Sequence, residues 1–134
     1  MGFVMQHAIG RFEVKTIPQP AEEAAGGDAI GRLLLDKQFH GDLEAKSIGT
    51  MLGARSAVAG SAGYVAIEKV TGTLDGRAGS FLLQHYGLMT RGAMEQTVTI
   101  IPDSGTDELS GISGKMIIEI EQGTHNYRLE YELA

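Results

Sequence analysis

The sequence predicts an all-β fold, an eight-stranded antiparallel up-and-down barrel, on three observations. Apolar and polar residues alternate with a period of two along much of the chain, whereas the 3.6-residue period of an amphipathic helix never persists. Nineteen glycines stand against three prolines, scattered singly and in turn pairs as hairpins and bulges require. The connections between alternating runs are mostly short and carry glycine, which suits sequential antiparallel pairing. Strands joined in this way leave two bare edges unless the sheet closes on itself, so a closed barrel is expected, with a two-sheet sandwich as the alternative.

The first strand is expected over residues 8–17, where Phe12, Val14 and Thr16 alternate with Arg11, Glu13 and Lys15. Residues 18–28 carry Pro-Gln-Pro, two glutamates and Gly26-Gly27, and predict a long loop. A second strand over 30–40 places Leu33, Leu35 and Phe39 on one face with Lys37 among them, and a third over 43–52 sets Glu44 and Lys46 against Ala45, Ser47 and Met51.

Strands over 64–74 and 77–88 flank Asp75-Gly76, a strong hairpin signal because a type I′ turn needs positive φ at both central residues. That turn puts Tyr64, Ala66, Glu68, Val70, Phe81, Leu83 and His85 on one face, which is assigned inward. Val65, Ile67, Lys69, Thr71, Ser80, Leu82, Gln84 and Tyr86 fall on the other. A sixth strand over 93–101 is apolar on both faces near its end, so its facing stays open.

The last hairpin joins residues 115–121 to the run that begins at His125, through Gln122-Gly123. In this register Ile118 faces Tyr127, Met116 faces Leu129, and Glu119 lies opposite Asn126, so dry residues meet dry ones.

With 134 residues the chain is read as one domain, 1–134, long enough for one real core. A hydrophobic content of 43% with 21% charged residues argues against disorder. The formal net charge of −6 repels phosphate backbones and anionic headgroups, which puts nucleic acid and membrane surfaces outside the expected partners. The absence of cysteine excludes disulfides and thiolate chemistry and fits a reducing compartment. Residues 1–9 lack the basic and apolar segments of a signal peptide, and no run approaches the ~20 apolar residues of a membrane helix. A cytoplasmic protein is the expectation.

Five segments carry a family resemblance: Phe39-His40-Gly41-Asp42-Leu43-Glu44; the run from Thr71 to Phe81; Gln84-His85; the run from Ser104 to Gly111; and His125-Asn126-Tyr127-Arg128-Leu129-Glu130-Tyr131. Together they resemble an uncharacterised bacterial family, domain of unknown function 3224, with an allene-oxide-cyclase-like barrel. The resemblance covers nearly the whole chain. It implies an eight-stranded antiparallel barrel of calycin-like shape, often found in oligomers, and it supplies no activity. A cyclase inferred from a shared fold would be analogy alone, and no residue pattern of the allene oxide cyclases is matched.

The inward faces carry three ionisable residues among apolar neighbours, Lys37, Glu68 and His85. Burying a lone charge costs several kcal/mol, so such groups are usually paired or functional. On one reading they form a pocket floor, with Glu68 or His85 as acid or base and Lys37 holding an anionic group. On the other, Lys37 and Glu68 are an internal ion pair, with His85 bonded to a neighbour or lying at the barrel mouth. Tyr64 and Tyr127 join Lys37, Glu68 and His85 as candidate ligand-binding residues, although Tyr127 and Tyr131 also read as core aromatics with hydroxyls on polar partners.

His7, His40, His85 and His125 show no metal-site spacing, so no metal and no cofactor is expected, and His40 and His125 read as exposed turn residues. Gly111-Ile112-Ser113-Gly114-Lys115 is not a phosphate loop, since Met116 replaces Ser or Thr and a strand follows in place of a helix. No serine sits in a nucleophile elbow.

Three functions are therefore open. The first is a barrel that binds a small apolar or weakly acidic molecule. The second is an isomerase or lyase using Glu68 and His85 for proton transfer. The third is a homo-oligomeric structural protein whose outward Val65, Ile67, Leu82 and Tyr86 form an interface.

Overall fold

The computed structural model describes residues 4–133. Eight strands follow one another round the wall: β1 (Gln6–Pro18), β2 (Gly31–Gly41), β3 (Leu43–Arg55), β4 (Ala62–Leu74), β5 (Arg77–Thr90), β6 (Ala93–Ile100), β7 (Ser113–Glu121) and β8 (Thr124–Glu132). Each pairs antiparallel with its neighbour, and β1 pairs with β8, so the sheet closes into a barrel. The long connection between β1 and β2 contains two short 3-10 turns, Glu23–Ala25 and Gly27–Ala29, and ends at Ile30, one residue later than the sequence pattern suggests. Among the described residues no helix is long and apolar enough to cross a membrane.

Both expected two-residue turns are present with positive φ at each central residue, Asp75 (49°) with Gly76 (83°) and Gln122 (50°) with Gly123 (82°). A third, Arg91 (48°) with Gly92 (91°), joins β5 to β6. The turns set the registers: Val70 pairs with Phe81, Ala66 with His85, Met116 with Leu129 and Ile118 with Tyr127. Strand β6, whose facing the sequence left open, turns Val98 and Ile100 inward.

The two ends of the barrel are filled differently. At the end where β2, β4 and β8 finish, Phe39, Leu43, Leu74, Phe81, Leu83, Ile100 and Leu129 pack into a dry core, joined by Tyr127 and Tyr131. The segment after β6 closes this end. It first continues along the edge of β5, where Ser80 and Leu82 donate backbone N–H bonds to the hydroxyls of Thr106 and Ser104. It then turns inward through Asp107–Leu109 and buries Leu109 and Ile112 against the core. This segment accounts for Ser80, which is outward by parity yet buried, its hydroxyl 2.8 Å from that of Thr106. Tyr131 donates a hydrogen bond to Asp75 and so ties the last strand to the β4–β5 turn.

Between β6 and β7 the ladder is nearly absent, with Thr99 opposite Lys115 as its single register pair. The opposite end of the barrel, towards Leu33, Met51, Tyr64 and Met94, is not filled by the core cluster.

Candidate functional site

Strands β2, β3, β4 and β5 are consecutive in the wall, and each contributes one inward polar residue at the same level: Lys37, Ser47, Glu68 and His85. Inward facing follows from the period of two, and the levels coincide because each hairpin register staggers its strand against the next. Glu68 is the centre. Its Oε1 accepts a hydrogen bond from Ser47 Oγ at 2.7 Å, and its Oε2 accepts one from Lys37 Nζ at 2.8 Å. His85 Nε2 lies 2.6 Å from the same Oε2, but off the line of a well-formed hydrogen bond, so the contact is electrostatic more than directional. The Lys37 ammonium also stands over the Phe12 ring, 5.0 Å from its centre.

These contacts outweigh the desolvation of the acid. Burial pushes the Glu68 carboxyl upward, but the His85 contact and the charges of Lys37 and His85 overcome it and hold the group down at about 2. Gly49 makes the packing feasible. It sits opposite Glu68 in the β3–β4 ladder, and a Cβ there would come within 2.6 Å of Glu68 Cβ and 2.3 Å of the Ile67 carbonyl oxygen.

Above this polar floor lies an open cavity of about 380 Å³. Phe12, Val14, Leu35, Ala66 and Ile118 supply apolar wall, and Lys37 and His85 reach it from below. Towards the rim it adjoins a second space of about 380 Å³ that shares Met51, Tyr64 and Met94 with it. Tyr64 stands between the two. Its hydroxyl accepts a 2.6 Å hydrogen bond from Gln96 Nε2, and its ring covers Gly87, where a Cβ would lie 2.3 Å from a ring carbon. Desolvation raises the Tyr64 hydroxyl above its usual range and the Gln96 bond partly offsets this, while the Glu68 charge adds to the rise.

Of the five candidate binding residues, Lys37, Tyr64 and His85 line the cavity. Glu68 lies beneath it, with a side chain 0% exposed, and touches the cavity through Lys37 and His85. Tyr127 does not reach it. Its ring packs edge-on to Phe39 in the closed half, and its hydroxyl accepts from the Leu43 N–H and donates to the His40 carbonyl, both at 2.9 Å. Burial pushes that hydroxyl up to about 12.

Two histidines differ from their expected exposure. His125 turns into the cavity with its ring centre 5.0 Å from that of Phe12, because it shares parity with Tyr127 and Leu129. His40 is partly covered and held 2.9 Å from Glu13 Oε1 across the β1–β2 pair. Glu13 is correspondingly lowered, by its hydrogen bonds to Arg11 and then His40. Ser47, Gln96 and His125 were not singled out from the sequence. The inward parity of Ser47 with Ala45, and of His125 with Tyr127, was the available signal. Among the described residues no group of three or more histidine or acidic side chains is placed to hold a metal ion.

The sequence matches a family model described as "Protein of unknown function (DUF3224)" over residues 8–131. The chain belongs to this family. One solved relative is a crystal structure of a protein of unknown function from the same family, from Shewanella oneidensis MR-1. It is 48% identical, with 98% of each chain covered and a TM-score of 0.91. No curated protein matches the chain. Family membership thus carries the barrel fold and no activity, and neither comparison names an allene oxide cyclase.

Proposed function

We propose that this family member binds a small, largely apolar molecule in the open half of its barrel. The carrying observation is the cavity of about 380 Å³, whose walls are apolar and whose few polar groups converge on one floor. Small-molecule sites commonly occupy about 300–1,000 Å³ and combine apolar lining with a few placed polar groups in this way. Splitting the barrel into a packed half and an open half supports the reading, because the core at the closed end holds the fold without filling the other end. Native mass spectrometry of freshly purified protein tests it. An adduct that survives gentle ionisation and is lost on denaturation is the expected result; a bare chain that also fails to take up an apolar fluorescent probe would overturn the reading.

Proton-transfer catalysis by Glu68 and His85 is less well supported. A general base works best when its pKa is near the working pH. Glu68 is held at about 2 with both oxygens engaged, which suits a counter-ion.

A homo-oligomer is a separate proposal, favoured by the outer wall. Ile17, Leu34, Ile48, Ile67 and Leu82 line a shallow outer groove framed by Asp36 and Lys69, and Val65 and Tyr86 extend the apolar surface beside it. A face with apolar centre and both charge signs at its border can meet its own copy across a two-fold axis. Sedimentation of wild type against Ile67→Asp tests this: a dimer dissociated by the substitution is expected, and a wild-type monomer at high concentration would rule it out. A cytoplasmic location, consistent with the cysteine-free composition, is likewise a proposal.

A further inference from the structure

At the level of Tyr64 the ladders of β2 to β6 set Gly31, Gly53, Tyr64, Gly87 and Gln96 in one row across the wall. Three of these positions carry no side chain. The one large side chain lies back along the wall: the Tyr64 ring rests on Gly87, and its hydroxyl reaches past β5 to Gln96 on β6. Gly87 is needed for that pose, since a Cβ there would strike the ring. Gly31 and Gly53 differ from it. A Cβ at either would meet nothing closer than 3.7 Å, and neither has the positive φ that favours glycine. Packing therefore accepts a side chain at both, and what its absence provides is room for something to lie close to the backbone.

This row is the neck between the two spaces of about 380 Å³ each. Along β4 the inward residues pass from Glu68 beneath the floor, by Ala66 in the inner space and Tyr64 at the neck, to Ala62 in the outer space, a run of about 20 Å. Met51 and Met94 also border both spaces, and their unbranched side chains yield to an occupant. Tyr64 is held by its hydrogen bond while the methionines adapt, so the ring's position on the wall sets the width of the passage. A rigid ring system would be confined to one space, whereas a slender chain can run through both.

We propose that the two spaces form one elongated site for an unbranched apolar chain, and that Tyr64, laid back on Gly87, sets the length of chain it takes. The proposal rests on the small-molecule reading above and names the shape of its ligand.

Calorimetric titration of the full chain into 1-hexanol, 1-octanol, 1-decanol and 1-dodecanol tests it. Each buried methylene strengthens binding about fourfold, so wild-type affinity is expected to rise about fifteenfold for every two carbons up to 1-dodecanol. Gly87→Ala pushes the ring off the wall and into the neck. This variant should bind 1-hexanol as the wild type does and 1-dodecanol at least about tenfold more weakly. Adding Tyr64→Leu removes the displaced ring and should restore the long chain. Gly53→Leu, at a position with room for a side chain, should plug the neck with the same selectivity against long chains. A wild-type series that stops rising at 1-octanol, or a Gly87→Ala series parallel to it, would overturn the elongated site and leave the small-molecule reading intact. Failure of every alkanol to bind would overturn the two together. The wild-type series needs no variant, so a misfolded substitution does not blunt the test.

Discussion

Gly49 and Glu68 face each other across the β3–β4 ladder, and the Cβ that Gly49 lacks would stand 2.6 Å from the Cβ of Glu68. The acid at the centre of the polar floor therefore depends on a missing side chain on the neighbouring strand. Gly49→Val forces either strand to shift, and a destabilisation of about 1–3 kcal/mol is expected from such overpacking. Urea unfolding would show it as a lower midpoint, and an unchanged midpoint would mean the site has slack the distances do not show.

Lys37 and Glu68 should be strongly coupled. Lys37→Met alone leaves a buried carboxylate with only Ser47 and His85, and about 3–5 kcal/mol of destabilisation is expected. Lys37→Met combined with Glu68→Leu removes both charges and should restore much of that loss. A double-mutant cycle by chemical denaturation measures the coupling, and additive single effects would contradict the pairing.

Stability should fall in acid through Glu68. The folded carboxyl sits at about 2, below the ordinary carboxylate value near 4.5 that it regains when unfolded. The unfolded chain thus binds more protons across that interval, so stability is fully present above it and declines as pH drops from about 4.5 towards 2. Glu68→Gln should flatten that segment of the stability–pH curve relative to wild type. Parallel curves for the two proteins would assign the acid sensitivity elsewhere.

Tyr127→Phe tests the closed end. The substitution keeps the ring against Phe39 but strands the Leu43 N–H and the His40 carbonyl, at an expected cost of about 1–3 kcal/mol. Ligand binding in the open half should be unchanged in this variant, which thermal melts and probe titration can read separately.

Parity placed Tyr64, Glu68 and His85 on the inner face from the sequence alone, because the two-residue turn at Asp75-Gly76 leaves little freedom in register, and Lys37 through its alternation with Leu33, Leu35 and Phe39. Parity says nothing about height along the barrel axis. Tyr64 and Tyr127 are both inward, yet one borders the cavity and the other lies in the closed core. That separation depends on the stagger accumulated over eight strands, which no single hairpin encodes. The same ambiguity hid Ser47, whose hydroxyl matters only because Glu68 arrives at its level. His125 was misjudged for a different reason: a position next to a turn suggests solvent, but its parity with Tyr127 carries it inward. Ser80 escaped because its cover comes from Thr106, 26 residues away.

The single Thr99–Lys115 pair between β6 and β7 gives the closed ring the mechanics of a strip stitched at one point. Every other junction is a full ladder that must break cooperatively, whereas this one parts by losing a stitch and the side-chain contacts around it. The backbone groups of β6 that point away from β5 are then the first in the wall to meet water, and their amides should exchange soonest. Met94 and Gln96 on one side of that junction, and Ile118 and Ile120 on the other, are also cavity residues. The chamber is thus bounded on one flank by the most easily parted wall, and an occupant has a sideways exit as well as the rim.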